Sequence, residues 1–271
     1  MAKVIALPMC SAKAPQTNID YLKNQLAKLV VEEPTLVCLP ETWPAFCDNA
    51  QQTWEYTQYN EALLGELSAL CQQHNIWLAA GTIAIPSQND KYLAASYLFN
   101  SSGEIVARYN KIHLFDADVS DKTKQYRESE RTESGQDVVV VDSPFGRIGL
   151  SVCYDLRFPG LFQMMRAQGA ELFLVPSAFT CATGKAHWQP LLQARAIENQ
   201  CYVVAAAQVG CHENGRETYG HSLIVSPWGE VLIDSGESLE PISQQLDSAF
   251  LDSIRQKMPV VDHNRFKSEF L

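Results

Sequence analysis

Three side chains of complementary chemistry, Glu41, Lys111 and Cys153, each stand directly after a short apolar or β-rich run. Glu41 follows Leu36-Val37-Cys38-Leu39-Pro40, Lys111 follows the run from Ile105 to Asn110, and Cys153 follows the run from Ile148 to Val152. The carboxyl ends of buried strands are where α/β proteins place their ligands. Taken singly, each residue has an ordinary explanation: a solvated acid or helix cap, a surface ammonium, an inert packed thiol. Together they form a set able to cleave an amide without histidine or metal. Cys153 would supply the nucleophile, and Glu41 could accept the thiol proton and later return it. An ammonium at Lys111 would enrich the thiolate, making Cys153 the fastest-alkylated cysteine, and would stabilise the oxyanion formed on attack at a carbonyl. The backbone N–H of Tyr154 is a candidate second oxyanion donor.

The elements that must hold this set alternate between strands and helices. Strands are expected over residues 4–8, 36–40 and 76–85, with a hairpin of 96–100 and 104–109 around a Ser-Ser-Gly turn. Ile19, Leu22, Leu26 and Leu29 fall on one face of a helix capped by Thr17 or Asn18, and Leu63, Leu67, Leu70 and Cys71 on a second. Residues 116–136 are polar and without periodicity, the composition of a long functional loop. Further strands are expected at 138–141, 148–153, 172–175, 202–208, 221–225 and 230–233, with helices at 162–168, 186–199 and 246–257. The runs ending at Pro40 and Pro176 echo each other weakly, as a pseudo-symmetric pair of sheets would. No linker divides the chain, so residues 1–271 read as one α/β domain with helices outside sheets.

Composition narrows the function. The 271 residues carry a net charge of −10, which argues against a protein that tracks a phosphate backbone. A hydrophobic fraction of 46% with 19% charged residues allows a core without disulfides or metal. The eight cysteines are scattered without a CxxC pair, the usage of reduced thiols in a cytoplasmic protein. No signal-peptide pattern and no apolar run of about 18 residues occurs, so a soluble, cytoplasmic protein is expected. His113, His187 and His221 have no metal spacing, and none stands in a context that points to Cys153, which disfavours a Cys–His pair oriented by Asp155. Arg157, Arg166 and Arg195 are candidate carboxylate binders or internal ion-pair partners, and Arg195 better suits the latter.

Three segments resemble the signatures of the nitrilase superfamily of carbon–nitrogen hydrolases: Leu39-Pro40-Glu41, the run Tyr109 to Phe115, and the run Gly149 to Pro159. The resemblance extends through Ala186-His187-Trp188, Arg195 to Gln200, and Ser226-Pro227-Trp228-Gly229. It implies a four-layer α-β-β-α sandwich that pairs as a homodimer, with no metal or organic cofactor. It also implies Glu41 as general base, Lys111 as oxyanion stabiliser and Cys153 as the thioester-forming nucleophile. A second glutamate that holds the lysine is matched best by Glu128, with Glu130 and Glu133 nearby. Residues 177–180, 183–188 and 201–208 resemble most the branch that hydrolyses deaminated glutathione to 2-oxoglutarate and Cys-Gly, with ω-amidases as neighbours. Arg127, Thr180 and His187 are the expected substrate contacts. Gly160, where glutamate is the family's pattern, touches helix capping, whereas Cys181 and Lys185 alter a segment near the expected substrate mouth. A true nitrilase, or an idle scaffold on the same fold, are the remaining alternatives.

Overall fold

The computed structural model describes residues 2–88 and 90–270. The chain opens with strand Ala2–Ala6, whose alternation sends Val4 and Ala6 to one face of a sheet and Ile5 to the other. Thr35–Cys38 lies parallel to it, and Trp77–Ala79 lies parallel beyond that. The long strand Tyr92–Phe99 then runs antiparallel, sharing one edge between Trp77–Ala79 and Ile83–Pro86 and pairing on the other with Ile105–Asn110. Ile242–Leu246 closes the far edge against Ala2–Ala6, completing seven strands. A second sheet of six strands has the parallel trio Ile148–Leu150, Leu172–Leu174 and Tyr202–Ala205 at its centre.

The two sheets face each other. Val4, Leu36 and Leu98 from the first share a single core with Leu150, Leu172 and Val203 from the second. Helices Pro15–Leu26 and Asn60–His74 lay Leu22, Leu67 and Cys71 over the outer face of the first sheet. Pro159–Ala167 and Cys181–Asn199 lay Phe162, Met165, Trp188 and Leu192 over the outer face of the second. The result is four layers, α-β-β-α. No helix among the described residues is long and apolar enough to cross a membrane.

Several boundaries differ from expectation for identifiable reasons. The segment 76–85 is broken at Gly81, where φ is +51° and an added Cβ would lie 1.9 Å from the Pro40 carbonyl oxygen. Only glycine permits that approach, and it presses the turn against the residue before Glu41. The first helix starts at Pro15, earlier than a Thr17 or Asn18 cap requires. The Asn18 side chain instead joins Ala12 to Pro44, accepting from the Ala12 N–H at 2.8 Å and donating to the Pro44 carbonyl at 2.9 Å. The polar stretch from 116 is not a bare loop. Asp116–Asp118 pairs with Gln125–Arg127, and a 3-10 turn, Glu128–Glu130, follows. Helix Cys181–Asn199 starts five residues before the expected 186, because the Thr180 hydroxyl caps it by accepting from the Thr183 N–H.

Candidate active site

The turns leaving three strands converge between the sheets. Glu41 follows Thr35–Cys38, and Lys111 is the first residue past Ile105–Asn110, its N–H held by the Ala94 carbonyl at 2.9 Å. Cys153 starts the 3-10 helix Cys153–Arg157 with φ of +47°. That left-handed conformation is costly for a residue with a Cβ, by about 1–2 kcal/mol, and here it turns the chain sharply out of the sheet. The Cys153 N–H, donating to the Pro176 carbonyl at 3.0 Å, fastens the turn to the end of the neighbouring strand. The following amide, that of Tyr154, lies in the first helical turn, where N–H groups have no intrahelical acceptor.

Lys111 is 2% exposed and joins two carboxylates. Its Nζ donates to Glu41 Oε1 at 2.8 Å and to both oxygens of Glu128 at 2.9 and 2.8 Å. The other Glu41 oxygen, Oε2, accepts from the Ala178 N–H at 2.9 Å. Glu128 Oε2 also accepts from the Phe115 N–H at 2.7 Å. Burial alone would favour the neutral amine at Lys111, but Glu128, Glu41 and the Cys153 sulfur outweigh it and hold the ammonium well above its ordinary value. Burial likewise raises Glu128, against the pull of Lys111.

The Cys153 thiol does not follow the sequence expectation. Burial and then the Glu41 carboxylate push it well above its ordinary value, and Lys111 pulls it down by less. Two carboxylates around one ammonium leave a net charge of −1, so a thiolate would be a second negative charge in a buried site. The favourable route to a sulfur nucleophile is transfer of its proton to Glu41 as the sulfur attacks, which leaves the cluster's charge unchanged.

Glu41, Lys111, Glu128 and Cys153 all line one cavity of about 840 Å³. Arg127 lines it as well, with its guanidinium paired to Asp118 at 2.8 Å. Thr180 and His187 are not among the lining residues. Thr180 is the helix cap described above, and exposed His187 meets Arg157 at 3.2 Å. Cys181 and Lys185, also exposed, lie outside the lining too. Arg195 is committed within the fold, bonding the Leu156 carbonyl and Glu198. Arg166 reaches the Asn199 carbonyl.

One contributor, and the observed role of another, escaped the sequence reading. The Ala178 N–H, which fixes Glu41, has no side-chain signature. Asp155, fully buried, accepts from the Tyr109 hydroxyl at 2.7 Å, the Val152 N–H at 2.8 Å and the His113 N–H at 3.0 Å. It thereby ties the strand that precedes Lys111 to the turn that carries Cys153. Asp155 also meets His113 Nδ1 at 2.7 Å, but the imidazole stacks on Phe158 at 3.7 Å and does not line the cavity. Among the described residues no hydrogen bond joins a histidine to Cys153, and no three His, Cys, Asp or Glu side chains are grouped to hold a metal.

The arrangement can bind a carbonyl oxygen at Lys111, present sulfur to its carbon and shuttle a proton through Glu41. Residues 12–256 match the family model described as carbon–nitrogen hydrolase. The chain is 41% identical to the deaminated glutathione amidase of Yersinia enterocolitica, covering 100% of this chain and 95% of that protein. It is 40% identical to the deaminated glutathione amidase of Dictyostelium discoideum, over 95% of this chain and 92% of the relative. Its fold superposes on the crystal structure of the NitFhit protein of Caenorhabditis elegans with a TM-score of 0.89 and 37% identity, covering 98% of this chain and 66% of that one. The chain belongs to the carbon–nitrogen hydrolase family of the nitrilase superfamily, as an amidase acting on carbon–nitrogen bonds other than peptide bonds.

Proposed function

We propose that this amidase hydrolyses deaminated glutathione, releasing 2-oxoglutarate and Cys-Gly. The observation that supports it is whole-length likeness to amidases of that name, in a chain whose buried Glu41 and Lys111 and partly buried Glu128 and Cys153 open on one cavity. Its volume of about 840 Å³ lies within the range of small-molecule sites, roughly 300–1,000 Å³.

In this reading the Cys153 sulfur attacks the amide carbon as its proton passes to Glu41. The carbonyl oxygen becomes an oxyanion between the Lys111 ammonium and the Tyr154 N–H. Glu41 returns the proton to the amine nitrogen, the C–N bond breaks, and Cys-Gly departs from a thioester. Water then adds to the thioester carbon, giving its proton to Glu41. The C–S bond breaks, the proton returns to sulfur, and 2-oxoglutarate leaves. Glu128 holds Lys111 in place throughout. The enzyme works as a homodimer in the cytoplasm, and Arg127 contacts the substrate at the cavity wall.

Purified protein given deaminated glutathione and 2-oxoglutaramate in parallel tests this. Faster 2-oxoglutarate release from the first, abolished by Cys153→Ala without loss of folding, is expected. A preference for 2-oxoglutaramate, with ammonia released, would make it an ω-amidase and overturn the proposed substrate.

A further inference from the structure

The cavity wall carries a cation that the chemistry above does not use. Three basic side chains line it: Lys111, Arg127 and Arg216. Lys111 is held by two carboxylates and Arg127 by Asp118. The remaining acids of the wall are also matched, Asp48 with Lys13 at 2.6 Å and Glu66 with Lys23 at 2.5 Å. Arg216 alone among these cations has no carboxylate partner among the described residues.

Its setting is built rather than loose. Arg216 stands at the end of a tight turn between strands Val209–Cys211 and Glu217–Tyr219. Its carbonyl accepts from the His212 N–H at 2.9 Å, and its N–H donates to Asn214 Oδ1 at 3.0 Å. The guanidinium carbon lies 4.9 Å from the centroid of Phe46 and 5.2 Å from that of Tyr126. Both rings are themselves anchored: Phe46 stacks on His212 at 3.7 Å, and the Tyr126 hydroxyl donates to Asp121 at 2.8 Å. Aromatic ring faces attract a guanidinium without using up its N–H fork, and that fork matches a carboxylate with two parallel hydrogen bonds. Ordering the fork in advance lowers the entropy lost on binding.

We infer that Arg216 is the specificity residue of this site, binding a carboxylate of the substrate remote from the amide that Cys153 attacks. The inference rests on the reading of this cavity as the amidase site. It makes the preferred substrates anionic amides, admitted to a protein of net charge −10 by one local cation. Deaminated glutathione carries such a carboxylate on each side of its amide, and 2-oxoglutaramate carries one on the acyl side.

The test compares kcat/KM for deaminated glutathione, 2-oxoglutaramate and uncharged propionamide in the wild type, Arg216→Met and Arg216→Lys. Arg216→Met keeps much of the apolar stem and loses the fork. A fall of about 10- to 100-fold is expected on the carboxylated amides, the size of a lost hydrogen-bonded charge contact. Propionamide turnover should stay within about twofold, and Arg216→Lys should recover part of the loss, as a charge without the fork. The inhibition constant of glutarate should rise in Arg216→Met by a similar factor, a reading independent of turnover. Loss on both carboxylated amides puts the bound carboxylate on the acyl side, and loss on deaminated glutathione alone puts it on the amine side. An equal fall on all three amides, or none on the carboxylated pair, would overturn the inference. A wild type that favours 2-oxoglutaramate refutes the substrate proposed above, and the variant comparison still decides the role of Arg216.

Discussion

Replacing Glu41 by Gln should abolish amide turnover and yet make Cys153 more reactive towards a simple alkylating agent. Sequence reasoning expects Lys111 to enrich the thiolate, but the ammonium already faces the carboxylates of Glu41 and Glu128, at 2.8 to 2.9 Å. Of the charges near the sulfur, that of Glu41 raises the thiol by more than Lys111 lowers it. Glu41→Gln removes the larger effect and leaves Lys111 held by Glu128. A neighbouring charge in such a site moves a pKa by about 1 to 3 pH units. Below the pKa, each unit multiplies the thiolate fraction about tenfold. The nucleophilicity of that thiolate falls with a Brønsted coefficient of about 0.4–0.5, which leaves roughly a threefold gain per unit. Alkylation of Cys153 at neutral pH should therefore accelerate by about three- to thirtyfold.

The assay is pseudo-first-order inactivation by iodoacetamide as a function of pH, with the modified cysteine located by mass spectrometry. In the wild type the rate should still be climbing above about pH 8.5, the ordinary thiol value, and the variant's profile should shift to lower pH. A slower reaction in Glu41→Gln would refute the reasoning. It would mean that the thiol proton already resides on Glu41 in the resting enzyme, so that the −1 cluster tolerates a thiolate after all.

Lys111→Met should cost about 3–5 kcal/mol of stability at neutral pH, because it leaves the buried Glu41 carboxylate and the partly buried Glu128 carboxylate without their ammonium, and it should lower kcat far more than it raises KM. Glu128, already raised by burial, loses the group that pulled it down. The folded variant then binds more protons than the unfolded chain, so its stability should be greatest in acid and fall as pH rises through the raised Glu128 value. Urea melts from about pH 5 to 8 check this, and a pH-independent loss would contradict it. Asp155→Asn sets an NH2 group either against the Tyr109 hydroxyl and Val152 N–H, which share Oδ2, or against the His113 N–H at Oδ1, so unfolding should become easier by about 1–3 kcal/mol, with kcat falling as Lys111 and Cys153 lose register. Unchanged kcat in the folded variant would deny Asp155 a positioning role. Thr180→Ala should cost about 0.5–2 kcal/mol through the lost helix cap, with kcat/KM little altered; a large change in KM would return Thr180 to the substrate contacts.

Much of the fold is written in short-range patterns. The run Leu36 to Cys38 is apolar throughout because it lies inside a sheet with both faces covered, and helix Asn60–His74 shows its buried stripe at Leu67, Leu70 and Cys71. Edges and caps are less legible. Ile242–Leu246 carries Ser243, Gln244 and Gln245 at an exposed sheet margin, so its strand character comes from the partner Ala2–Ala6 rather than from its own composition. The hairpin of Asp116–Asp118 with Gln125–Arg127 is polar on nearly every residue and has no periodicity to betray it. Helix Ala50–Tyr56 buries no residue, which removes the amphipathic signal by which helices are recognised.

The site divides along the same line. Glu41, Lys111, Glu128 and Cys153 could be singled out because reactive side chains leave a mark in a motif, whereas what controls them is often backbone or distant. Ala178 contributes only an N–H, made useful when the ends of two strands from different sheets meet at Glu41 Oε2. Arg216 sits in an ordinary-looking Asn-Gly-Arg turn, and its significance arises only when Phe46 and Tyr126, 170 and 90 positions away in the chain, fold against its guanidinium. The charge of the reactive cluster is equally invisible in any one segment. A lysine beside a cysteine reads as an activator, and only the count of surrounding carboxylates turns that reading into a sulfur that must surrender its proton as it attacks.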